Sequence, residues 1–343
     1  MTSPFADAVD RLRPPEPEVL AAARARLDTR IKPQGSLGRL EELGTQLAGI
    51  AGTCPPPSIE RPSIVVFAGD HGVVARGVSN WPSEITGLMA ATVADGEAAI
   101  NAFARQIGAS TRVVDVGMLE PHGHPGVDAE RVGAGTADLS VEPAMTLEQA
   151  RSALDVGATA AAADEGDCLI GGELGIGNTA AAAAVIGTFA PPNDAPLAGL
   201  GAGLDPAALP EKERIVRDAA ARARALDDPL ARLAEVGGFE IAALAGFYVG
   251  GVASRRPVIV DGVIGCAALL AAEALAPGTA GGCIAGHRSA EPAATTALEH
   301  LGLEPVIDLG LRLGEGTGAA LAVPLLRAAI AALTEMAELP APS

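Results

Sequence analysis

Apolar residues in this chain fall into two alternating kinds of segment. Short, continuous apolar runs are typical of strands buried on both faces of a sheet, and they occur at residues 63–68, 111–116, 168–171 and 257–260. Longer Ala- and Leu-rich segments between them have helical periodicity. The predicted helices span residues 86–107, 147–163, 178–188, 209–225, 239–249, 266–275, 291–301 and 317–333. This alternation predicts an α/β fold, a mainly parallel sheet with helices on both faces.

The start of the chain has a different pattern. Two helices are predicted at residues 16–29 and 40–50, joined by the turn KPQGSLG at residues 32–38. A Pro-rich stretch at residues 53–62 follows and predicts the first domain boundary.

Composition and charge narrow the range of partners. The 343 residues are 49% hydrophobic but only 2% aromatic, so the core is built from Ala, Val, Leu and Ile. A net charge of −18 repels nucleic acid and anionic membranes, and few aromatics are available for base stacking. The N-terminal segment lacks the apolar core of a signal peptide, and runs such as residues 179–185 are too short to span a bilayer. We therefore expect a cytoplasmic protein.

Cysteine and histidine spacing predicts no metal site. The cysteines Cys54, Cys168, Cys266 and Cys283 form no CxxC pair, and we interpret them as reduced and buried. The five histidines show no HExxH or comparable spacing.

Ligands of open α/β sheets bind beyond the carboxyl ends of the strands, so residues that follow predicted strands are informative. Asp70 and His71 follow the first strand, either as a substrate-adjacent loop or as a tight turn capped by the aspartate. Trp81, the only tryptophan, lies in the same loop. It either packs in the core or a lid, or it stacks on a planar aromatic ligand.

A Gly-rich turn at residues 171–177 leads into the helix predicted from residue 178. Free N–H groups at such a helix start favour a phosphate or carboxylate. The turn is only a loose GxGxxG match without the expected acidic residue, and it lacks the Gly-Lys-Ser/Thr of a P-loop. Glu173 lies inside this turn, where it either serves a ligand or is solvated or capping.

Two further segments combine glycine with one charged side chain. Lys212 follows the Gly-rich turn at residues 199–203 and is either a phosphate partner or a surface lysine. Glu315 lies between Gly314 and Gly316 at the start of the last apolar helix. It either stabilises the helix dipole or acts as a general base whose pKa is raised by an apolar pocket.

Together these segments resemble the nicotinate-nucleotide:dimethylbenzimidazole phosphoribosyltransferases. The resemblance covers about residues 30 to 325, and RLGEGTGAALA with GELGIGNT is its most specific combination. It is carried in order by KPQGSLGRLE (32–41), GDHGV (69–73), GELGIGNT (172–179), VGGFEIAALAG (236–246), PVIVDG (257–262), HRSAEP (287–292) and RLGEGTGAALA (312–322).

The resemblance implies a Rossmann-like three-layer α/β domain, a small helical subdomain from both chain ends, and a homodimer. We place the large domain at residues 60–305 and the subdomain at residues 1–59 and 306–343. The family's catalytic carboxylate falls on Glu315. The resemblance implies further substrate-binding positions at Glu173, Gly175, Gly177, Asn178, Gly203, Lys212, Ser289, Gly314, Gly316, Trp81 and Met89. Trp81 and Met89 stand where some relatives carry smaller or polar residues.

The implied reaction moves phosphoribose from nicotinate mononucleotide to 5,6-dimethylbenzimidazole, giving α-ribazole 5′-phosphate and nicotinate, a step of cobalamin synthesis. The pyridinium leaving group loses its positive charge on departure, so neither a metal nor a cofactor is expected. Glu173 would stabilise the developing cation or bind ribose. Alternatives are a Rossmann oxidoreductase and a non-catalytic nucleotide-binding protein. Within the family, another benzimidazole, adenine or a phenol could be the acceptor.

Overall fold

Six parallel strands form one sheet in the computed structural model, which describes residues 3–191 and 195–340. Their order is β3-β2-β1-β4-β5-β6, so the chain reverses direction across the sheet between β1 and β4. This is the doubly wound order, and the predicted α/β fold is confirmed. The strands are β1 (Pro62–Gly69), β2 (Ser110–Gly117), β3 (Val127–Ala129), β4 (Cys168–Leu174), β5 (Val258–Val260) and β6 (Cys283–Ala285).

Thirteen α-helices surround this sheet within the described ranges. They are α1 (Pro4–Arg11), α2 (Pro17–Asp28), α3 (Arg39–Ala51), α4 (Glu84–Ala94), α5 (Ala99–Ile107), α6 (Leu147–Ala163), α7 (Asn178–Phe189), α8 (Leu209–Arg224), α9 (Pro229–Val236), α10 (Phe239–Ala253), α11 (Val263–Leu275), α12 (Pro292–Leu301) and α13 (Thr317–Thr334).

Each face of the sheet has its own core, because successive side chains of a strand point to opposite faces. On β1, Val65 and Phe67 join the core formed with α6, α7, α10 and α11. Ile64 and Val66 join the opposite core, formed with α3, α4, α5 and α13. Since both faces are covered, the central strands β1 and β4 are buried along their whole length, as the sequence pattern predicts, whereas the edge strand β3 is largely exposed.

Helices α6 and α10 cross at very short range through small residues. Gly157 of α6 lies against the backbone of Ala243, and Gly246 of α10 lies against the carbonyl of Leu154. A Cβ atom at Gly157 would overlap the Ala243 carbonyl oxygen. Small residues therefore let the backbones of α6 and α10 come into direct contact, which agrees with the low aromatic content of the chain.

We expect Gly157→Ala to destabilise the protein by about 1–3 kcal/mol, because the added methyl forces these two helices apart. Urea or thermal denaturation would measure the loss. Gly281→Ala is the matched control, since a Cβ at that exposed glycine meets its nearest atom, in Pro15, only at 3.8 Å. Equal midpoints for the two variants would contradict the backbone-contact explanation.

Helix α13 carries the C-terminal part of the chain back into the fold. By length and hydropathy it could cross a membrane, but 61% of it is buried, and it packs against α3, α5, β4 and β5. This is typical of a core helix. Its last residues, Ala332 and Leu333, form a small third core with Ala23, Leu27 and Ala48. The division into two domains stays a prediction, and its residues 1–2 and 341–343 lie outside the described ranges.

The structure differs from the sequence prediction in a few elements. The single helix predicted over residues 86–107 is two helices, because Gly96 adopts a φ of +82° and ends α4 before α5 begins. The three-residue strands β3 and β6 and the short helices α1 and α9 were not predicted. The other helices begin and end within about four residues of the predicted positions.

Candidate active site

A cavity of about 430 Å³ opens at the carboxyl ends of the strands. Residues that follow β1, β4, β5 and β6 line it together with the loop before α13, and most of its lining is apolar. A larger depression of about 570 Å³ lies against α2, α3 and the predicted KPQGSLG turn, away from the strand ends. We place the candidate site in the first, because parallel sheets bind ligands at this edge and the predicted residues converge there.

The loop before α13 has an unusual backbone. Gly314, Glu315 and Gly316 all have positive φ values, of 91°, 62° and 87°. Glutamate rarely adopts this conformation, so other contacts must hold it. The carboxylate of Asp261, just after β5, accepts hydrogen bonds from the N–H groups of Gly316 (3.2 Å) and Ala319 (2.9 Å). This aspartate therefore fixes the loop that carries Glu315.

The side chain of Glu315 is buried at the wall of the cavity. The residue is 3% exposed, and its carboxylate accepts a hydrogen bond from the N–H of Ile100 at 3.3 Å. Burial raises the pKa of Glu315, the Ile100 hydrogen bond offsets part of that shift, and the negative charge of Asp261 raises the pKa further. A carboxylate in this environment is suited to accept a proton near neutral pH.

Glu173 is a second buried carboxyl group at the end of β4. Asn178 donates a short hydrogen bond to it, and Gly314 has no side chain to keep it away from the loop of Glu315. Burial raises the pKa of Glu173 well above its ordinary value, and the charges of Asp261, Glu240 and Glu315 add to the effect. The raised pKa favours the protonated form of Glu173, which suits hydrogen bonding better than charge stabilisation.

A polar corner of the cavity lies where α7 begins. Gly177 precedes this helix and has no side chain to cap it, while the N–H groups of Asn178 and Ala180 donate to the carbonyls of Gly175 and Gly177. Lys212 is buried rather than on the surface, and its ammonium group donates to Thr179 Oγ1 and to the Gly199 carbonyl, both at 2.9 Å. Burial lowers the pKa of Lys212, and the nearby charge of Glu291 opposes that shift. Such a corner suits an anionic group.

Arginine also contributes to this corner. Arg312 lines the cavity, and its guanidinium group donates to the Gly201 carbonyl at 2.6 Å. The carboxylate of Glu291 accepts from the Gly201 N–H at 2.9 Å. The turn at residues 199–203 is therefore held on both sides by charged side chains.

The apolar end of the cavity is formed by the loop and helix after β1. Trp81 is half exposed, and its indole N–H donates to the Ala202 carbonyl at 3.2 Å. Asn80 donates to the Gly203 carbonyl at 2.7 Å. Ile85 and Met89, one turn apart on α4, continue the wall. This loop thus spans the cavity mouth instead of packing into the core.

Asp70 and His71 lie beneath the cavity rather than in its lining. His71 is fully buried and forms a 2.8 Å hydrogen bond with the carboxylate of Glu240. Asp70 caps no tight turn; it accepts hydrogen bonds from Thr86 and from the Leu119 N–H. The capped turn does not describe Asp70, and the interpretation of this segment as a substrate-adjacent loop stays a prediction.

The structure brings together eight of the twelve predicted site positions as cavity lining: Trp81, Met89, Glu173, Gly175, Asn178, Ser289, Gly314 and Glu315. The other four lie just behind the surface, Gly177 and Gly316 at helix starts, Gly203 in the turn beside Trp81, and Lys212 under that turn. Sequence reasoning missed His287, Glu291 and Arg312 in the lining. Their signal was present, since all three lie in the HRSAEP and RLGEGTGAALA strings.

Comparison with known proteins gives a consistent result. A family model described as "Phosphoribosyltransferase" matches residues 12–341. A nicotinate-nucleotide–dimethylbenzimidazole phosphoribosyltransferase from Salinispora tropica is 48% identical, with 94% of each chain covered, and one from Mycobacterium avium is similar to the same extent. The crystal structure of CobT from Thermus thermophilus superposes with a TM-score of 0.87 at 44% identity, covering 94% of this chain and 97% of that one.

Proposed function

This chain belongs to the nicotinate-nucleotide–dimethylbenzimidazole phosphoribosyltransferase family, and on that premise we propose that it transfers phosphoribose from nicotinate mononucleotide to 5,6-dimethylbenzimidazole. The products would be nicotinate and α-ribazole 5′-phosphate, the nucleotide of the cobalamin lower ligand.

The observation that carries this proposal is the position of Glu315. It is a carboxylate of raised pKa in a mostly apolar cavity, held beside the start of α13. The acceptor benzimidazole bonds to the anomeric carbon through one ring nitrogen and must lose the proton of the other. A single carboxylate within hydrogen-bond reach of that N–H is sufficient for this step, and Glu315 is the residue we assign to it.

The bonds and charges balance without a further reactant. The bond between the anomeric carbon and the nicotinate nitrogen breaks, and its electron pair neutralises the pyridinium ring. The bond from the benzimidazole nitrogen to the same carbon forms, and the second nitrogen's proton passes to Glu315. Attack from the face opposite nicotinate converts the β-linkage into an α-linkage.

The polar corner of the cavity is where we place the phosphoribose. The 5′-phosphate would meet the N–H groups at the start of α7 and the guanidinium group of Arg312, with Lys212 beneath the turn. The raised pKa of Glu173 favours its protonated form, so we assign it to a ribose hydroxyl rather than to the cationic transition state. The apolar end, with Met89 and Trp81, would then hold the dimethylated ring.

The homodimer and the cytoplasmic location expected from the sequence remain part of this proposal. Support for a covering surface comes from apolar side chains of the cavity lining that are exposed at its mouth. Leu88 and Leu313 are more than half exposed, and Trp81 is 50% exposed.

Turnover is the test of the proposal. We expect purified protein to release nicotinate from nicotinate mononucleotide only when 5,6-dimethylbenzimidazole is added, and to do so in the presence of a metal chelator, because the leaving group is already cationic. HPLC of nicotinate and of the ribosylated product would measure this.

Measuring turnover with a panel of acceptor bases would distinguish the proposed reaction from the alternative functions. Turnover with adenine or a phenol but not with dimethylbenzimidazole would change the acceptor and keep the reaction class. No turnover with any acceptor would contradict the proposal and leave the nucleotide-binding alternative. The Rossmann oxidoreductase has little support, because the Gly-rich turn follows β4 and not β1, where the dinucleotide fingerprint lies.

A further inference from the structure

A buried polar contact fastens the first turn of α4 to the end of β1. The hydroxyl group of Thr86 donates a hydrogen bond to Asp70 Oδ1 at 2.6 Å, and the two residues are only 2% and 4% exposed. Neither lines the cavity. At this depth a hydroxyl and a carboxylate are retained only if they are paired, so the contact is strongly defined.

The same two side chains reach two further loops. Thr86 Oγ1 accepts a hydrogen bond from the N–H of Ile176 at 3.1 Å, in the turn between β4 and α7. Asp70 Oδ2 accepts one from the N–H of Leu119 at 2.8 Å, just after β2. One hydroxyl and one carboxylate thus join the ends of three strands.

These contacts lie beside the apolar part of the cavity and fix the spacing of its walls. Ile85, Leu88 and Met89 line it from α4, and Leu174 at the end of β4 and Ile176 in the following turn line it from the other side. On its other face α4 packs on the sheet through Ala90 and Val93, which are apolar contacts without directional preference. The polar contact of Thr86 therefore sets the distance between the two walls.

We propose that Asp70 and Thr86 are positioning residues for the acceptor base, which set the width of the slot between α4 and the turn after β4. The inference rests on the proposed function, since it assigns that slot to the aromatic acceptor. A flat ring is held well only if both walls are in van der Waals contact with its faces. Widening by roughly 0.5–1 Å forfeits about a quarter to a half of the attraction on one face.

Loss of the Thr86 hydrogen bonds should affect binding of the acceptor and of nicotinate mononucleotide differently. The turn at Ile176 keeps other support, because the N–H of Asn178 donates to the Gly175 carbonyl and its side chain donates to Glu173. Helix α4 loses the polar contact of its first turn. Binding of the acceptor should therefore suffer more than binding of nicotinate mononucleotide.

Substitutions at two threonines of α4 test whether the Thr86 hydroxyl positions the helix. Thr86→Val keeps the shape of the side chain and removes both hydrogen bonds, whereas Thr86→Ser keeps the hydroxyl. Thr92→Val is the matched control, because the Thr92 hydroxyl on the same helix donates to the Leu88 carbonyl within that helix. If Thr86→Val does not fold, as shown by its melting curve, Thr86→Ala removes the same hydrogen bonds without placing a methyl group against Asp70.

Trp81 supplies a readout that does not depend on turnover. It is the only tryptophan in the chain and lines the same cavity, four residues before Ile85, so a change of its fluorescence on addition of dimethylbenzimidazole reports acceptor binding without turnover. We expect the acceptor Kd and KM to rise about tenfold in Thr86→Val, while the KM for nicotinate mononucleotide changes less than about threefold. Thr86→Ser should restore both acceptor constants, and Thr92→Val should leave them unchanged.

Two outcomes would overturn the inference: an unchanged acceptor Kd in Thr86→Val or Thr86→Ala, or an equal rise of both KM values. Wild-type protein that binds dimethylbenzimidazole without turning it over would count against the proposed reaction and not against the slot. Wild-type protein that does not bind it would count against the proposed acceptor itself.

Discussion

Replacing Glu315 by glutamine is expected to lower kcat by about 10²–10⁴-fold, the usual contribution of a general base. Glutamine has the same shape, and its carbonyl oxygen can still accept the hydrogen bond that Ile100 donates. What it lacks is the ability to take the acceptor's proton. Because the side chain stays in place, substrate KM values should change little, and the loss should fall on kcat.

The pH dependence of kcat/KM would distinguish a general-base role of Glu315 from a purely structural one. In the wild type, kcat/KM should fall as pH drops through the raised pKa of Glu315, since only the ionised carboxylate accepts a proton. That limb should be missing in Glu315→Gln. Glu148→Gln, an exposed change in the first turn of α6, is the control. Full activity in Glu315→Gln would discard the assigned base and leave the transferase reaction standing.

Asp261→Asn is expected to lower kcat about 10- to 100-fold and to move the acid limb of the pH profile to lower pH. Asparagine offers one acceptor oxygen where the carboxylate offers two, so either Gly316 or Ala319 loses its partner. A lost hydrogen bond to a charged group costs about 1.5–3 kcal/mol, and a displaced catalytic group loses rate by a comparable factor.

The direction of the pH shift follows from charge. Asp261 raises the pKa of Glu315, so its neutralisation lets Glu315 ionise at lower pH. The carboxylate then becomes a weaker base, which lowers the plateau of the profile as well. His287 lies against Asp261 at 3.4 Å. Asp261 is the charged group that raises the pKa of Glu315, so the pH profile should register its removal.

Asp115→Asn is a matched control for Asp261→Asn. Asp115 is equally buried and lies near the end of its own strand, outside the cavity. Its Oδ1 accepts hydrogen bonds from the N–H groups of Gly117 and Met118, and its Oδ2 accepts one from Arg131, which asparagine would weaken. That variant should lose stability without a shift of the acid limb. An unmoved limb in Asp261→Asn, together with a lower plateau, would mean that Asp261 acts only by holding the loop.

Much of the fold could be predicted because its strands are buried on both faces. The run SIVVFA is almost entirely apolar, and such continuity occurs mainly in covered parallel sheets. Strand β5 has only three residues but was predicted from the apolar run PVIV, whereas β3 (VDA) contains an aspartate and β6 (CIA) is enclosed by glycines, so both were missed. The break at Gly96 was missed because apolar residues continue on both sides of it, although the Asp-Gly dipeptide is itself a turn signal.

The residues of the candidate site also differ in whether the sequence alone could predict them. Glu315 could be predicted because two neighbouring glycines mark its position locally. Thr86 and Asp261 could not, since their importance lies in N–H groups that are distant in the chain, at Ile176 and Gly316. The position of Glu173 was predicted, but its pKa is raised by burial and by three other carboxylates that only the folded chain brings near.

The proline inside α13 interrupts the hydrogen bonds of a helix that connects two parts of the protein. This helix of 18 residues, about 27 Å long, begins beside Glu315 and ends among the N-terminal helices, where Arg26 and Arg30 donate hydrogen bonds to the Leu333 carbonyl. Pro324 cannot donate the hydrogen bond that would join it to Ala320, so the hydrogen-bond ladder is interrupted near the middle of the helix. Packing compensates for the missing bond: Ala319 before the proline and Leu326 beyond it lie in the same core, and Arg327 donates hydrogen bonds to the Ile59 and Ile107 carbonyls. The two halves of α13 therefore connect Glu315 to the N-terminal helices through continuous contacts.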